Sequence, residues 1–337
     1  MNNNKLVTTP TLPIIDLHCD LLAYLAKVEG AKPDDVHEVG CALPHLREGN
    51  VGLQIMAMYS AGGENPYELT RAMVTWFSRL VSEYADVVTP VRSADDVEKH
   101  LRSSKTGMIA AIENASGLCG EDEPLDLAFR RLDEVREAVG RILYVSLTHH
   151  GENRLGGGNT SDKGITADGK TLLEYIDGKG IAVDLSHTSD ALAYDIINYI
   201  DKKTLDLRII ASHSNFRPVF DHKRNLPDEL ARIIIERKGL IGMNLLRAFL
   251  HPSDPSYLAR HIEHGLKLGG KDALCFGADF FHTRSHPDQT RVPFFVKEHE
   301  NAGRYPGILA SLSGSFSREE IEGLAYKNAA VFIRQLL

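Results

Sequence analysis

A histidine and an aspartate stand two positions apart directly after an apolar run near the start of the chain, where Ile14 to Leu17 lead into His18 and Asp20. Alternate side chains of a strand leave the backbone on the same side, so this pair is predicted to face one way. Five later apolar runs also end in a histidine or an acid, at Glu113, His149, His187, His213 and Asp279. Such groups are seldom buried unless they are paired or hold a metal. The pattern therefore predicts a site for a divalent transition metal, with zinc the leading candidate.

The number of candidate ligands favours two metals over one. A catalytic site with a single zinc takes three protein ligands, whereas three imidazoles and two or three carboxylates are available here. Two metals about 3.5–4 Å apart, bridged by one carboxylate, use this set better. Such a pair lowers the pKa of a bridging water, yields a hydroxide at neutral pH and polarises a carbonyl, so no protein nucleophile is required. The sequence contains no G-x-S-x-G motif, and Cys19 is out of phase with His18 and Asp20.

The apolar runs that carry these residues are interpreted as strands buried on both faces. After the first run at Ile14, the others are Val51–Met58, Gly107–Glu113, Ile142–Thr148, Ile181–His187, Ile209–His213, Leu240–Leu245 and Ala273–Asp279. Helical patterns separate them, so the sequence predicts an α/β fold, a (β/α)8 barrel with helical and loop insertions. In that fold the carboxyl ends of the strands converge on one active-site face. A doubly wound open sheet is the alternative, but it usually has fewer strands and a glycine-rich first turn.

No boundary divides the chain, so we expect one domain over residues 1–337, with residues 1–12 loosely packed or disordered. The long link over residues 59–106 is predicted to be an insertion on the barrel. The glycine-rich piece over residues 151–169 is predicted to be a flexible surface loop above the barrel mouth.

Bulk composition narrows the class of protein further. The 337 residues carry a net charge of −8 without a Lys/Arg block, which argues against a nucleic-acid partner. No signal peptide and no membrane-length apolar run are found, so we expect a cytoplasmic protein without a membrane partner. The four cysteines form no C-x-x-C pair and are expected to be small buried residues in a reducing compartment.

Several segments together resemble one known family, and they occur in the family's order from about Ile14 to the C-terminus. These segments are Asp16-Leu17-His18-Cys19-Asp20, Ile112-Glu113-Asn114, Leu147-Thr148-His149, Asp184-Leu185-Ser186-His187, Ser212-His213-Ser214 and Arg224-Asn225-Leu226-Pro227-Asp228. The combination resembles the membrane (renal) dipeptidase family of zinc peptidases. That resemblance implies a (β/α)8 barrel related to the amidohydrolases, two zinc ions per chain and a dipeptide substrate.

The resemblance also implies roles for the candidate metal ligands. His18, Asp20 and Glu113 are similar to the ligands of one zinc ion, although other divalent metals could serve. Glu113 would bridge to a second ion, which His187 and His213 would complete.

The same resemblance implies which residues meet the substrate. His149 resembles the residue that contacts the tetrahedral intermediate, and Arg224 resembles the one that holds the substrate carboxylate, in keeping with the preference of guanidinium for carboxylates. Asp279 resembles the acid/base that carries a proton between the hydroxide and the leaving amine. The family often accepts a D-residue in second position, so L,D-dipeptides are candidate substrates, and its members tend to form homodimers.

Two alternatives remain open on sequence alone. One is another amidohydrolase-type hydrolase, acting on a lactone, cyclic amide or phosphotriester, although such barrels commonly begin with His-x-His and often use a bridging lysine. The other is a barrel that binds metal or peptide without turnover. One departure from the family pattern is Phe280-Phe281-His282, where Phe-Asp-Gly is more usual, and it leaves the side-chain specificity open.

Other polar residues are expected to have supporting roles. Asp16 is predicted to be a buried hydrogen-bonding partner, and Asp184 is predicted to orient groups near His187. His150 is predicted to support the site or its loop rather than to bind metal. Five further histidines are expected at the surface, namely His45, His100, His251, His261 and His264.

Overall fold

The computed structural model describes residues 12–63 and 65–337. The expectation of loose packing for residues 1–12 falls on residues 1–11, which lie outside the described part of the chain. None of the helices in the described ranges combines the length and the apolar character needed to cross a bilayer.

Within the described ranges, nine parallel strands form the sheet, and eight of them make a nearly closed barrel in the order β7-β6-β5-β4-β2-β1-β9-β8. The strands are β1 Ile14–Cys19, β2 Val51–Tyr59, β3 Val88–Pro90, β4 Thr106–Glu113, β5 Ile142–Ser146, β6 Ala182–Asp184, β7 Ile209–Ile210, β8 Ile241–Met243 and β9 Leu274–Phe276. The barrel closes between β7 and β8, the first and last strands of this order. There, Ala211 N donates to Leu240 O at 2.8 Å and Gly242 N donates to Ala211 O at 2.8 Å. The predicted (β/α)8 barrel is therefore confirmed, and the open-sheet alternative is wrong.

Twelve α-helices accompany the strands in the described ranges. They are α1 Leu21–Lys27, α2 Leu43–Glu48, α3 Pro66–Glu83, α4 Ala94–His100, α5 Asp126–Val139, α6 Ala167–Ile176, α7 Asp190–Lys203, α8 Asp228–Glu236, α9 Tyr257–Lys267, α10 Tyr305–Leu312, α11 Arg318–Glu322 and α12 Asn328–Leu336. Those covering the barrel bury apolar residues at three- and four-residue spacing, as Met73, Phe77 and Leu80 do in α3. At the C-terminal end, a π-helical turn at Gly323–Lys327 separates α11 from α12.

Along β1, apolar side chains on one face alternate with polar side chains on the other. Ile15 and Leu17 belong to an apolar cluster with Phe332 of α12. Asp16 and His18 point to the other face of the strand. They are also fully buried, but they make polar contacts at the carboxyl end of the barrel. This arrangement places His18 at the active-site face, as the period of a strand requires.

Several strands end earlier than the sequence predicts. β6 stops at Asp184 rather than at His187, and β9 stops at Phe276 rather than at Asp279. His187 and Asp279 have φ values of 68° and 66°, in the left-handed region that no strand residue occupies. These side chains therefore come from the loops just beyond the strands, where the backbone turns them over the barrel mouth.

One loop prediction needs correction. The glycine-rich piece was predicted to be a flexible surface loop, but residues 155–159 are buried. A Cβ at Gly158 would fall on the carbonyl oxygens of His149 and His150, so glycine permits the close approach of two backbones. The link over residues 59–106 was predicted to be an insertion, and it holds β3, which pairs with β4 outside the ring.

Candidate metal centre and active site

The carboxylate of Glu113 lies between two groups of side chains at the carboxyl ends of the strands. Its Oε2 atom is 3.4 Å from His18 Nε2. Its Oε1 atom is 3.1 Å from His187 Nε2 and 3.6 Å from His213 Nε2. One carboxylate thus presents each of its oxygens to a different set of potential ligands.

These side chains form two overlapping clusters of potential metal ligands. One contains His18, Asp20 and Glu113, and the other contains Glu113, His187 and His213; within each, the ligand atoms lie within 4.8 Å of one another. Buried polar atoms normally have hydrogen-bond partners, but His18 Nε2 and Asp20 Oδ1 have none among the described residues. A pair of divalent cations sharing Glu113 would satisfy these atoms, so the residues present fit the metals that the sequence predicts.

The orientation of His18 is set by a tyrosine that sequence reasoning did not single out. His18 Nδ1 lies 2.7 Å from the hydroxyl of Tyr144, which itself donates to Leu17 O at 3.1 Å. The hydroxyl therefore accepts the Nδ1 proton, and Nε2 is directed at the metal centre. Tyr144 is an interior residue of an apolar strand, so only its polar hydroxyl hinted at this role.

A serine links His213 to the buried Asp184. Ser212 Oγ donates to Asp184 Oδ2 at 2.5 Å, and His213 Nδ1 lies 2.6 Å from the same Ser212 Oγ. Asp184 also accepts the backbone N–H groups of Ser186 and Ser212. The hydroxyl must therefore accept from Nδ1, which leaves the Nε2 lone pair of His213 free for a metal. Asp184 supports the site, as expected, although it does so through His213.

Asp16 is the buried partner that the sequence predicts. Its carboxylate accepts the N–H groups of His18 and Ala278 and, at 2.7 Å, the hydroxyl of Tyr305. These bonds tie β1 to the start of the loop that carries Asp279. The carboxylate therefore positions both residues without facing the metals.

The ionisable side chains of the site have strongly shifted pKa values because they are buried together. Burial lowers the pKa values of His187 and His213 well below the usual range and keeps them neutral. Burial also opposes a charged His18, but Glu113, Asp20 and Asp279 outweigh it and raise the pKa of His18 to about 10. The charge of His18 in turn overcomes the burial of Glu113 and lowers its pKa to about 2. The imidazolium of His18 is thus the positive charge that the surrounding carboxylates require.

The residues predicted to meet the substrate are not all placed alike. His149 and Asp279 line the cavity, and burial lowers the pKa of His149 to about 3. Asp279 Oδ1 is 3.7 Å from His18 Nε2, and Asn244 Nδ2 donates to its Oδ2 at 2.8 Å. Burial raises the pKa of Asp279 to about 6. The structure therefore brings an imidazole and a tunable carboxyl group to the metal centre.

Arg224 lies behind the wall of the cavity rather than on it. The residue is only 4% exposed, and its Nη atoms donate to Ser214 Oγ at 2.5 Å and to His213 O at 2.9 Å. Its Nε atom has no partner among the described residues. The guanidinium thus fixes the loop after β7, and its charge stands beside the metal ligands.

The cavity above the metal centre measures about 440 Å³. Its walls include residues that sequence reasoning did not select, among them Lys27, Tyr59 and Phe249. His150 also reaches the cavity, and its Nδ1 is 2.9 Å from Asn159 Oδ1. Asn244 was missed as well, because it follows the one late strand for which no functional residue was predicted. Its signal in the sequence was a polar residue inside an apolar run.

Two histidines predicted at the surface are buried instead. His100 is 2% exposed and His261 is fully buried. His261 Nδ1 accepts the N–H of Phe216 at 3.2 Å, and its Nε2 lies 3.3 Å from Leu250 O. It therefore joins the loops that follow β7 and β8, which a helical position in the sequence could not reveal.

A barrel whose strand ends gather imidazoles and carboxylates around one shared carboxylate has the architecture of metal-dependent hydrolases. The chain belongs to the membrane dipeptidase family, peptidase family M19, whose model matches residues 4–336. The resemblance stated from the sequence motifs is therefore confirmed.

Individual relatives are distant. The chain is 24% identical over 289 residues to the dipeptidase aclJ of Aspergillus oryzae, a match that covers 80% of this chain and 63% of the relative. It is 25% identical over 315 residues to the dipeptidase tcpJ of Claviceps purpurea, with 87% and 68% covered. The chain thus spans about two thirds of the length of these relatives. A metallopeptidase from Rhodobacter sphaeroides, solved with a phosphinate mimic of the dipeptide L-Ala-D-Ala, shares the fold with a TM-score of 0.81 at 18% identity, covering 97% of this chain and 100% of that one.

Proposed function

We propose that the protein is a zinc-dependent dipeptidase that hydrolyses the peptide bond of dipeptides. The observation that carries the proposal is the placement of Glu113, which presents one oxygen to His18 and the other to His187 and His213. Family membership and the names of the relatives support the same reaction.

Five side chains would hold two zinc ions. His18 and Asp20 would bind one ion, His187 and His213 would bind the other, and Glu113 would bridge them. When bound, such a pair acidifies a water molecule and polarises the carbonyl under attack. The protein's own contribution is to hold the ligands in place, through Tyr144 for one ion and through Ser212 and Asp184 for the other.

Asp279 is the proposed proton carrier. Asn244 holds its Oδ2 atom, while Oδ1 faces the metal ligands and the cavity. A carboxyl group whose pKa is about 6 can take a proton and return it near neutral pH, as transfer from water to the leaving amine requires. His149 is proposed to contact the oxygen that becomes negatively charged. Arg224, with its charge and its unpartnered Nε, is proposed to attract the free carboxylate of the substrate.

L,D-dipeptides are included among the proposed substrates. The Rhodobacter sphaeroides metallopeptidase with the same fold was solved with a mimic of L-Ala-D-Ala. The cavity of about 440 Å³ is a single chamber beside the metal centre and suits a short substrate.

A substrate panel with purified, zinc-loaded protein tests the proposal. L-Ala-L-Ala, L-Ala-D-Ala, tri-alanine, a cyclic amide and a lactone are compared before and after removal of metal by a chelator. We expect hydrolysis of dipeptides alone, its loss on chelation and its recovery with zinc. Hydrolysis of the cyclic amide or lactone without cleavage of any dipeptide would favour the alternative class, and equally fast hydrolysis by metal-free protein would rule out the mechanism.

A further inference from the structure

Two hydrogen-bond donors at one end of the cavity have no acceptor. Lys27 is the last residue of α1, and its Nζ atom lies 4.7 Å from the centre of the Tyr59 ring at the end of β2. Both residues line the cavity. Among the described residues, no carboxylate lies within 4 Å of Lys27 Nζ, and the Tyr59 hydroxyl has no hydrogen-bond partner. We refer to Lys27 and Tyr59 together as the ammonium–phenol pair.

The carboxylates whose charges act on Lys27 are Asp20 and Glu113. Both belong to the metal centre and would be neutralised by the ions they hold. In the metal-loaded protein, Lys27 would therefore keep no carboxylate partner among the described residues, and an anion could approach it at the cavity wall.

The position of the pair relates it to one end of a dipeptide. Lys27 and Tyr59 stand on the β1 and β2 side of the barrel, whereas Arg224, the proposed partner of the substrate carboxylate, follows β7. The Tyr59 ring lies 4.7 Å from the ring of His149, so the pair borders the metal centre. We infer an orientation in which the carboxylate end of a dipeptide is drawn to the side of Arg224 and its first residue lies on the side of Lys27 and Tyr59.

We infer that the ammonium–phenol pair binds an acidic side chain, so the preferred substrates carry Glu or Asp as their N-terminal residue. The inference rests on the proposed dipeptidase function and names a substrate class within it. A side-chain carboxylate would accept one hydrogen bond from the Lys27 ammonium and one from the Tyr59 hydroxyl, and hydrogen bonds to a charged group are the stronger kind. The neutral amide of Gln, equal in size, would lack the charge.

Matched dipeptides measure this preference. We compare kcat/KM for Glu-Ala and Gln-Ala in the zinc-loaded wild type and in the Lys27→Met, Lys27→Arg and Lys32→Met variants. Lys32 is an exposed neighbour that does not line the cavity. The wild type and Lys32→Met are expected to prefer Glu-Ala by about tenfold, the effect of one charge-assisted hydrogen bond. Lys27→Met is expected to bring the ratio to about one, and Lys27→Arg to preserve most of it.

A second cation on the cavity wall provides the positional control. Arg291 also lines the cavity, and its Nη1 atom is 3.3 Å from His286 Nε2. A preference for Ala-Glu over Ala-Gln, without one for Glu-Ala, would assign anion binding to another cation and overturn the inference. Equal rates for Glu-Ala and Gln-Ala in the wild type would overturn it while leaving the dipeptidase proposal intact. Failure to cleave any dipeptide would overturn both.

Discussion

The Nε2 atoms of His187 and His213 face each other at 3.0 Å in a buried position. His213 donates its Nδ1 proton to Ser212, so its Nε2 lone pair points at His187. Two neutral imidazoles directed at one point are the arrangement of two ligands of one metal. Zinc–nitrogen bonds of about 2.0–2.1 Å at tetrahedral angles put such atoms about 3.4 Å apart, close to the separation found here.

Removal of the Ser212 hydroxyl is expected to weaken metal binding. Ser212→Ala breaks the link from Asp184 to His213, so the imidazole loses the group that fixes its tautomer and ring orientation. Losses of this kind typically cost about 10–100-fold in metal affinity. Zinc affinity is measured by competition with a chromophoric chelator, with Ser311→Ala, whose hydroxyl bonds only within α10, as the control. Equal zinc affinity in the two variants would show that the Ser212 hydroxyl does not support metal binding.

Asp279→Asn is expected to slow turnover while leaving the metals in place. The amide keeps the size of the carboxyl group but cannot carry the proton, and general acid–base catalysis typically contributes about 10²–10⁴-fold. We expect kcat for dipeptides to fall within that range and the zinc content per chain to stay at the wild-type value. A variant that retains wild-type kcat would show that another group moves the proton.

Gly242→Ala is expected to destabilise the barrel next to the metal centre. A Cβ at Gly242 would fall on the carbonyl oxygen of Ser212, the residue that precedes His213. Overpacking of this type costs about 1–3 kcal/mol in the free energy of unfolding, measured by denaturant titration. Gly307→Ala is the matched control, because a Cβ there meets nothing within 4 Å and replaces a helical glycine, which favours stability by up to about 1 kcal/mol. Equal stability of the two variants would contradict the packing described here.

His261 is expected to make the fold sensitive to acid. Burial disfavours the charged imidazolium and lowers the pKa of His261 to about 4, from an ordinary value of 6.5. The contribution of His261 to stability is therefore fully present above pH 6.5 and is lost as the pH falls through about 4, by roughly 3 kcal/mol in all.

The His261→Gln variant isolates this effect. Its free energy of unfolding is expected to fall less steeply between pH 6.5 and 4 than that of the wild type. Identical pH dependence of the wild type and His261→Gln would show that His261 is not held neutral in the fold.

The barrel and the cluster could be predicted because both follow from strand periodicity. His18 lies two residues after Asp16 on the same face, and a polar group after each apolar run places its side chain at the carboxyl end. The ends of the strands were less predictable, since His187 and Asp279 adopt left-handed backbone angles that apolar patterning does not encode. These angles exist because packing of the surrounding loops imposes them.

Contacts that depend on distant segments also escaped sequence reasoning. Tyr144 is 126 positions from His18, and Asn244 is 35 positions from Asp279. Neither tyrosine nor asparagine differs in sequence from an ordinary buried residue of its type. For Arg224, a sequence motif suggested that the guanidinium binds a carboxylate. The motif could not reveal that its Nη atoms donate to groups within the protein.

Anomalous X-ray scattering at the zinc edge, from crystals of the zinc-loaded protein, shows whether Glu113 bridges two metal ions. We expect two anomalous peaks per chain, one beside His18 and Asp20 and the other beside His187 and His213, with Glu113 between them. A single peak, or peaks away from Glu113, would show that Glu113 is not a bridging ligand.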